Sequence, residues 1–216
     1  MGGIFSLEGG LFTTMGKIFD LMYLSLLWLV FSLPIVTAGA STTALYYTTA
    51  KVIRRDRGYI FGEFWSCFKS NFVTSTIYSV IIIALYFIFK FNFTVINTTD
   101  NTMMTMLFYV YWLLVYMLYS CGVYLFPVLS RFKNTRVQLV KMSMLLSMKH
   151  LPSTIVIQVI VLAAGLTMWI IPLTTCFVPA LAALLVSLVM EKVFRHYMPK
   201  PEEGVLEEDL EWYMTF

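Results

Sequence analysis

Residues able to act as acids, bases or nucleophiles are scarce in this chain of 216 residues. The two histidines, His150 and His196, adjoin predicted helix ends and not a group of carboxylates or serines. The sequence has no Ser-His-Asp set, HExxH motif or glycine-rich phosphate loop. The three cysteines, Cys67, Cys121 and Cys176, include no CxxC pair, which argues against a zinc site or a disulfide framework. We therefore expect a protein that is not an enzyme and has no catalytic residues, metal or cofactor.

Asp20 is the carboxylate closest to a strongly apolar stretch, so it is a candidate intramembrane charge. Placing an ionised side chain at the centre of a bilayer costs about 2.5–3.5 kcal/mol on insertion scales, and such residues often mark ion or proton sites. The alternative is an ion pair with Lys17, three residues earlier on the same helix. Because Asp20 lies at the edge of the apolar stretch, the sequence favours the ion pair.

A basic cluster follows the first apolar stretch. Six residues form a candidate docking surface for a partner or for lipid phosphates: Lys51, Arg54, Arg55, Arg57, Trp65 and Lys69. The acidic end of the chain is another candidate ligand, since residues 200–216 carry a net charge of −5 and residues 1–199 carry +8. Screening beyond about 8–10 Å limits such attraction to close contact. The plain alternative is that the cluster only marks the cytoplasmic side of a membrane.

Small and polar residues lie between the first apolar stretch and this cluster. They define a candidate cavity or packing corner: Pro34, Thr37, Gly39, Ser41, Thr42 and Tyr46. Small residues let helices approach closely, and Gly39 permits a helix break. We expect a packing corner, and the alternative is a cavity or gate. The hydroxyl groups that extend the corner and could bind a sugar belong to Tyr46, Tyr47, Thr48 and Thr49.

The composition indicates that lipid surrounds most of these residues. The chain is 59% hydrophobic and only 12% charged, whereas soluble domains carry about 25% charged residues. A single core cannot hide that much apolar surface, and a net charge of +3 argues against nucleic-acid binding. Apolar stretches near the length that crosses about 30 Å of hydrocarbon predict five transmembrane helices. They lie at residues 21–36, 73–89, 103–126, 155–173 and 177–190.

The positions of the basic residues predict the orientation of these spans. Thirteen of the 15 follow the first, third or fifth span, whereas Lys17 and Lys90 fall on the other side. We therefore predict an outside N-terminus, one membrane domain over residues 1–199 and an acidic cytoplasmic tail over residues 200–216. Residues 35–50 leave an alternative open, because a complete crossing by this segment would place the N-terminus inside.

Two predicted cytoplasmic segments have the amphipathic pattern of helices that lie in the membrane interface. Residues 59–72 have aromatic side chains at helical spacing, and residues 137–151 combine a Leu and Met face with Lys141 and Lys149. Aromatic rings favour that depth, and lysine can extend its ammonium group to lipid phosphates. The sequence thus predicts an all-α polytopic membrane helix bundle of about five transmembrane helices with cytoplasmic interfacial elbow helices.

The segment from Pro34 to Phe72 carries a set of recognisable motifs. They are Pro-x-x-Thr-x-Gly at Pro34, Thr37 and Gly39, Thr-Ala-Leu-Tyr at residues 43–46, Arg54, and Phe-x-x-x-Phe-Lys-x-Asn-Phe at residues 64–72, with Pro152 and residues 179–181 further on. With these motifs the chain resembles the YesL family of bacterial integral membrane proteins. The resemblance implies a five-span protein of the bacterial cell membrane, often encoded beside sugar ABC transporters and two-component regulators. It implies no biochemical activity for any residue.

The leading hypothesis is a non-enzymatic accessory membrane protein of bacterial carbohydrate uptake or sensing. Its elbow helices would dock a sugar ABC transporter or a sensor kinase, with the lipid bilayer as the other partner and no nucleic acid. One alternative is a small-solute or glycan-fragment permease or channel, alone or as an oligomer. A weak parallel repeat of span, proline, basic segment, elbow and span suggests this alternative, as does the broken helix near residues 34–39. Another alternative is an assembly factor for other membrane proteins.

Overall fold

The computed structural model describes residues 10–97, 102–132 and 135–197, which form helices joined by short connections and no strand. The helices are α1 Gly10–Ser32, α2 Ala38–Thr48, α3 Ile60–Asn97, α4 Thr102–Arg131, α5 Arg136–Lys149, α6 Leu151–Ile170 and α7 Val178–Phe194. Turns of 3₁₀ helix lie at Ile35–Thr37 and Pro172–Cys176, and a π-helical turn at Thr49–Ile53 extends α2. The predicted all-α fold is confirmed.

Four helices in the described part of the chain are long and apolar enough to cross a membrane. The apolar windows are Met15–Ser32, Ile60–Thr94, Phe108–Arg131 and Leu151–Ile170. They confirm a multi-pass helical membrane protein and overlap the first four predicted spans. The fifth predicted span, at residues 177–190, falls in α7, whose 17 residues extend about 25 Å, less than the ~30 Å hydrocarbon layer. By length and composition alone, four of the described helices qualify as spans, and the fifth predicted span stays a prediction.

The short helix α2 lies at the centre of the bundle and runs antiparallel to α1. Near the turn between them, the indole Nε1 of Trp28 donates a hydrogen bond to Thr42 Oγ1 at 3.2 Å. At the opposite end, Lys17 Nζ lies 3.5 Å from Asp56 Oδ2. Most side chains of α2 are buried: Gly39, Ala40, Ser41, Thr43, Ala44, Leu45, Tyr46 and Thr48.

The contact between Lys17 and Asp56 corrects the predicted topology. The sequence analysis separates Lys17 from the basic loop by a membrane, whereas the structure places the start of α1 beside that loop. In the structure, α2 returns the chain to the end of the bundle where α1 begins, as the alternative left open for residues 35–50 requires. The side of the membrane on which the N-terminus lies stays a prediction. Hydropathy gives a weak signal here because the many small and hydroxyl side chains of α2 pack against protein and not against lipid.

The helix α3 is continuous over 38 residues, about 57 Å, roughly twice the thickness of the hydrocarbon layer. The interfacial helix predicted at residues 59–72 corresponds to the first part of α3, which runs without a break into the predicted span at 73–89. Its position in the membrane interface stays a prediction. Phe64 and Phe68 are buried, and their ring centroids lie 5.6 and 5.1 Å from that of Phe31 in α1. Phe61, Trp65 and Phe72 of the same segment are exposed, so only part of this aromatic face packs within the bundle.

The other predicted interfacial helix, at residues 137–151, corresponds to the separate helix α5. At its start, the Thr135 backbone N–H donates to Gln138 Oε1 at 3.3 Å. At its end, His150 leaves the helical conformation with φ −114° and ψ 53°. Pro152 then lies in the first turn of α6, where a missing N–H is tolerated. The two halves of the suggested repeat therefore differ, since only α5 is separated from the span that follows.

Candidate functional site

A buried ion cluster joins α2, α4 and α7 around Glu191. The side chains of Glu191 and Arg131 are 5% and 0% exposed. Glu191 Oε1 accepts a hydrogen bond from the Tyr46 hydroxyl at 3.1 Å. Glu191 Oε2 accepts hydrogen bonds from Arg55 Nη2 at 3.2 Å and from Arg131 Nη2. One carboxylate therefore connects the central helix, the loop that follows it and the end of α4.

Contacts near both ends of α7 hold Glu191 in place. At the start of α7, Ser25 Oγ donates to the Phe177 carbonyl at 3.2 Å and accepts from the Ala180 N–H at 3.1 Å. One turn before Glu191, the Ser187 carbonyl accepts a hydrogen bond from Arg54 Nη1 at 3.0 Å. These bonds fix α7 against α1 and against the loop after α2.

The helix α4 brings Arg131 to the cluster because it continues beyond the predicted span at residues 103–126. Pro127 lies inside the helix, which ends at Arg131. A proline inside a helix removes the hydrogen bond to the carbonyl four residues earlier, yet α4 continues past Pro127 for one more turn. The extra turn carries the guanidinium of Arg131 into the bundle, where its side chain is fully buried.

The electrostatics of the cluster follow from its burial. A buried carboxylate is stable only when it is paired and hydrogen-bonded. Tyr46 lies on α2, outside the four candidate spans. Burial, together with the neighbouring Glu191 carboxylate, raises the pKa of Tyr46 well above its usual value. The Tyr46 hydroxyl therefore stays protonated at neutral pH and donates its proton to the Glu191 carboxylate.

The Tyr46 hydroxyl is the uncharged donor of this cluster. Phenylalanine removes the hydroxyl and keeps the shape of the ring. Tyr46→Phe should lower the free energy of unfolding by about 1.5–3 kcal/mol, because a hydrogen bond to a charged group is lost. The measurement is reversible unfolding of the purified protein in mixed micelles. The matched control is Tyr23→Phe, since Tyr23 is exposed on α1, and its effect should stay within about 0.5 kcal/mol. Equal losses in both variants would contradict the assigned role of Tyr46.

Several predicted docking residues contact the protein itself. Lys51 Nζ lies 2.6 Å from Glu63 Oε2. Burial opposes the charge of Lys51 most strongly, but the hydrogen bond with Glu63 and the electrostatic contributions of Tyr47 and Glu63 together outweigh it and raise the Lys51 pKa. Arg55 Nη1 donates to the Ala50 carbonyl at 3.0 Å, in addition to its bond with Glu191. Arg54 also donates a hydrogen bond to the Ser187 carbonyl. Three of the six predicted residues therefore help to hold the loop after α2 in place.

The other three predicted docking residues lie closer to the surface. Arg57 is half-buried in the loop after α2, and Lys69 is exposed on α3. Trp65 is exposed and stacks on Phe68 with ring centroids 5.9 Å apart. Their role in docking a partner or lipid phosphates stays a prediction.

Asp20, the candidate intramembrane charge, is exposed on α1. The expected ion pair with Lys17 is not the one observed, because the Lys17 ammonium contacts Asp56. The loop that carries Asp56 explains the difference, since α2 brings it back to the start of α1. Long-range packing thus takes the place of the local pair that the sequence favours.

The candidate corner is a close contact between α2, α3 and α4. The Gly39 N–H donates to Ser79 Oγ at 3.1 Å. A Cβ atom at Gly39 would lie 2.1 Å from Ser79 Oγ and 2.6 Å from Phe126 Cε1. Thr43 Oγ1 donates to the Gly39 carbonyl at 2.8 Å and lies 3.2 Å from Ser75 Oγ. The geometry favours the packing interpretation over a cavity.

The remaining corner residues have local structural contacts. The Thr37 hydroxyl donates to the carbonyls of Phe31 and Pro34 at 2.7 and 2.8 Å, which closes the turn after α1. Ser41 and Thr42 donate to backbone carbonyls one turn earlier in α2, at 3.2 and 2.7 Å. The hydroxyl groups of these three residues therefore already have partners in the protein. Among the hydroxyl groups considered for sugar binding, those of Tyr46 and Thr49 are also bonded within the protein, whereas the buried Thr48 Oγ1 has no hydrogen-bond partner among the described residues.

The described residues contain no group of three or more His, Cys, Asp or Glu side chains that could hold a metal. Cys67, Cys121 and Cys176 are free thiols. The arrangement around Glu191 pairs charges and binds helices together, and it presents no nucleophile beside a base. Within the described part of the chain, its chemistry is that of a structural junction.

Glu191 was not singled out from the sequence. Arg131 was counted there only among the basic residues whose positions predict the orientation of the spans. A signal was present, because Glu191 is the lone acidic residue of the otherwise apolar helix α7. An ionisable residue in such a helix indicates a buried partner.

Residues 21–93 match the model of a family described as DUF624, protein of unknown function. The match covers most of α1, all of α2 and most of α3. It includes Tyr46 and Arg55 of the ion cluster and ends before Arg131 and Glu191. No curated protein and no solved structure matches the chain.

Proposed function

We propose that this chain is a non-enzymatic accessory protein of the bacterial cell membrane that docks a partner membrane complex through α5. The observation that carries the proposal is the exposed apolar face of this helix. Met144, Leu145 and Met148 are 47%, 56% and 51% exposed, and they line a shallow groove together with Lys141 and Lys149. We name these five residues the α5 groove.

The opposite face of α5 explains why the α5 groove is held firmly. Leu139, Ser143, Leu146 and Ser147 are buried against the bundle. The helix is therefore fixed on one side and open on the other. Clustered exposed apolar side chains with charged residues at the rim are typical of interaction sites. The two lysines favour a partner whose contact surface combines apolar and acidic side chains.

The membrane side of this groove follows from the positions of the basic residues. Lys149 Nζ lies 5.2 Å from the ring centroid of Tyr197, and Tyr197 follows the helix that carries Glu191. Arg55 and Lys17 lie at the end of the bundle where α1 begins. The positive-inside rule supports placing this end in the cytoplasm. The start of α1 then also faces the cytoplasm, opposite to the side that the sequence analysis predicts.

The carbohydrate context of the proposal comes from the resemblance to the YesL family. YesL-like proteins are in the DUF624 family, so the match over residues 21–93 supports that resemblance. The resemblance implies a sugar ABC transporter or a sensor kinase as the partner. The permease alternative gains no support from the corner at Gly39, because the neighbouring side chains fill the space that a pathway would need.

Site-specific photocrosslinking tests the docking proposal. Benzoylphenylalanine in place of Leu145, in cells that make the full chain, should give an adduct with a transporter subunit or a sensor kinase. The matched control is the same probe in place of Leu166, which is also exposed but lies on α6, one of the four candidate spans. The same protein adducts from both positions, or no protein adduct from Leu145, would overturn the proposal.

Charge reversal separates specific docking from chance contact. The double variant Lys141→Glu with Lys149→Glu should lower the adduct yield from position 145 at least fivefold, because the acidic part of the partner would be repelled. Lys90→Glu, on the exposed surface of α3, should leave the yield unchanged. An equal fall in both charge variants would show that the lysines of α5 have no special role.

A further inference from the structure

The acidic end of the chain has the chemistry to occupy the α5 groove. We propose that residues 200–216 bind this groove within the same molecule. Bound there, the segment would cover the surface that the partner of the proposed function needs. Binding of residues 200–216 to the groove does not depend on the proposed function. Competition between this segment and a partner rests on the proposed function.

The groove requires a ligand with apolar and acidic groups in alternation. Met144, Leu145 and Met148 form its apolar part, and Lys141 and Lys149 lie at its two ends. The two lysines are eight residues apart on one helix, about 12 Å along its axis. A segment that places acidic side chains along an apolar stripe of that length would match both features.

The sequence of residues 200–216 has this pattern. It holds six acidic residues and one lysine. Leu206, Leu210 and Met214 recur every four residues, a spacing that aligns them on one face of a helix. Glu207, Glu208 and Glu211 lie between them. The pattern is that of an amphipathic peptide that lays apolar anchors into a groove.

The described part of the chain ends beside the groove. Tyr197 is the last described residue, and its hydroxyl lies 3.2 Å from His150 Nε2. The ammonium of Lys149, at one end of the groove, lies 5.2 Å from the Tyr197 ring. Only a few residues separate Tyr197 from the acidic segment. Such a short tether gives an effective concentration in the millimolar range, which favours binding within the molecule.

The basic loop after α2 is a weaker candidate for the same ligand. Lys51 already contacts Glu63, and Arg55 already contacts Glu191. The α5 groove offers both charge and apolar surface, so it accounts for the leucines of the segment as well as for its acids.

Photocrosslinking of the purified full chain in lipid vesicles tests this binding without any partner. Benzoylphenylalanine in place of Leu210 should give an intramolecular adduct that mass spectrometry assigns to Met144, Leu145 or Met148. Lys141→Glu with Lys149→Glu should lower the adduct yield at least fivefold, and Lys90→Glu should not change it. An adduct with the loop at residues 51–57, with lipid, or with a second copy of the chain would overturn the proposal.

The regulatory consequence has its own measurement. A chain that ends at Lys200 should raise the partner adduct from position 145 at least threefold in cells, because the groove would be open. A full-length variant with all six acids of the segment changed to amides should do the same if the shortened chain fails to accumulate. An unchanged yield of the partner adduct would contradict competition between the segment and the partner for the groove. Absence of any partner adduct together with a clear adduct from position 210 would count against the proposed function alone.

Discussion

Replacement of Glu191 by glutamine should destabilise the folded protein by about 3–5 kcal/mol, the cost of breaking a buried ion pair by removing one partner. Glutamine keeps the size of the side chain and can still accept a hydrogen bond from Tyr46. It removes the negative charge that the buried Arg131 side chain and Arg55 share. The measurement is the free energy of unfolding in mixed micelles, with the amount of folded protein in the membrane as a second readout.

Two comparisons show whether the loss comes from the charge cluster. Asp20→Asn removes an exposed carboxylate from α1 and should change stability by no more than about 0.5 kcal/mol. Adding Arg131→Met to Glu191→Gln should cost clearly less than the sum of the two single changes, because the double variant leaves no buried guanidinium without its carboxylate. Additive losses would contradict direct coupling between Glu191 and Arg131.

The contacts around Glu191 could not be predicted from the sequence. The Tyr46 hydroxyl and the Glu191 carboxylate are 145 positions apart in the chain, and no local pattern connects them. A lysine or arginine near a span predicts membrane orientation through its charge alone. Whether it faces solvent or a buried carboxylate depends on how the helices pack. Arg55 and Arg131 are correctly predicted to lie near one end of the bundle, but their partner was not predictable.

The membrane character and most of the helices could be predicted because hydropathy is a local property. The residues of α6 form a nearly uninterrupted apolar run, and the run ends at Pro172, which begins the next turn. By contrast, α2 is rich in Ser, Thr and Gly and still lies at the centre of the bundle. Its burial depends on hydroxyl groups that donate to backbone carbonyls, and hydropathy treats those groups as polar.

The two predicted interfacial helices share one sequence pattern and have different structures. In residues 59–72, Phe64 and Phe68 pack on Phe31, and the helix continues into a span. In α5, the chain breaks at His150 and the apolar face stays exposed. An apolar stripe is stabilised equally by a neighbouring helix and by lipid, so periodicity cannot distinguish the two. Pro152, just after the break, was the local difference available in the sequence.

Gly39→Ala should lower the free energy of unfolding by about 1–3 kcal/mol, the usual effect of adding a methyl group to a well-packed contact. The new Cβ would lie 2.1 Å from Ser79 Oγ and 2.6 Å from the ring of Phe126, so both side chains would have to move. A displaced Ser79 hydroxyl would also lose its hydrogen bond from the Gly39 N–H. These effects should exceed the gain in helix propensity that alanine brings over glycine, about 0.5–1 kcal/mol.

The matched control is Gly165→Ala on α6, where an added Cβ would meet nothing within 4 Å. This variant should be neutral or slightly more stable than the original chain. Ser79→Ala in the Gly39→Ala background should recover part of the loss, because it removes the atom closest to the new Cβ. A corner that served as a cavity or gate would accept the methyl group without loss of stability, and Gly39→Ala would then match the control. A clear difference between the two alanine variants, reduced by Ser79→Ala, would instead show that close packing of α2 against α3 and α4 is what this position contributes.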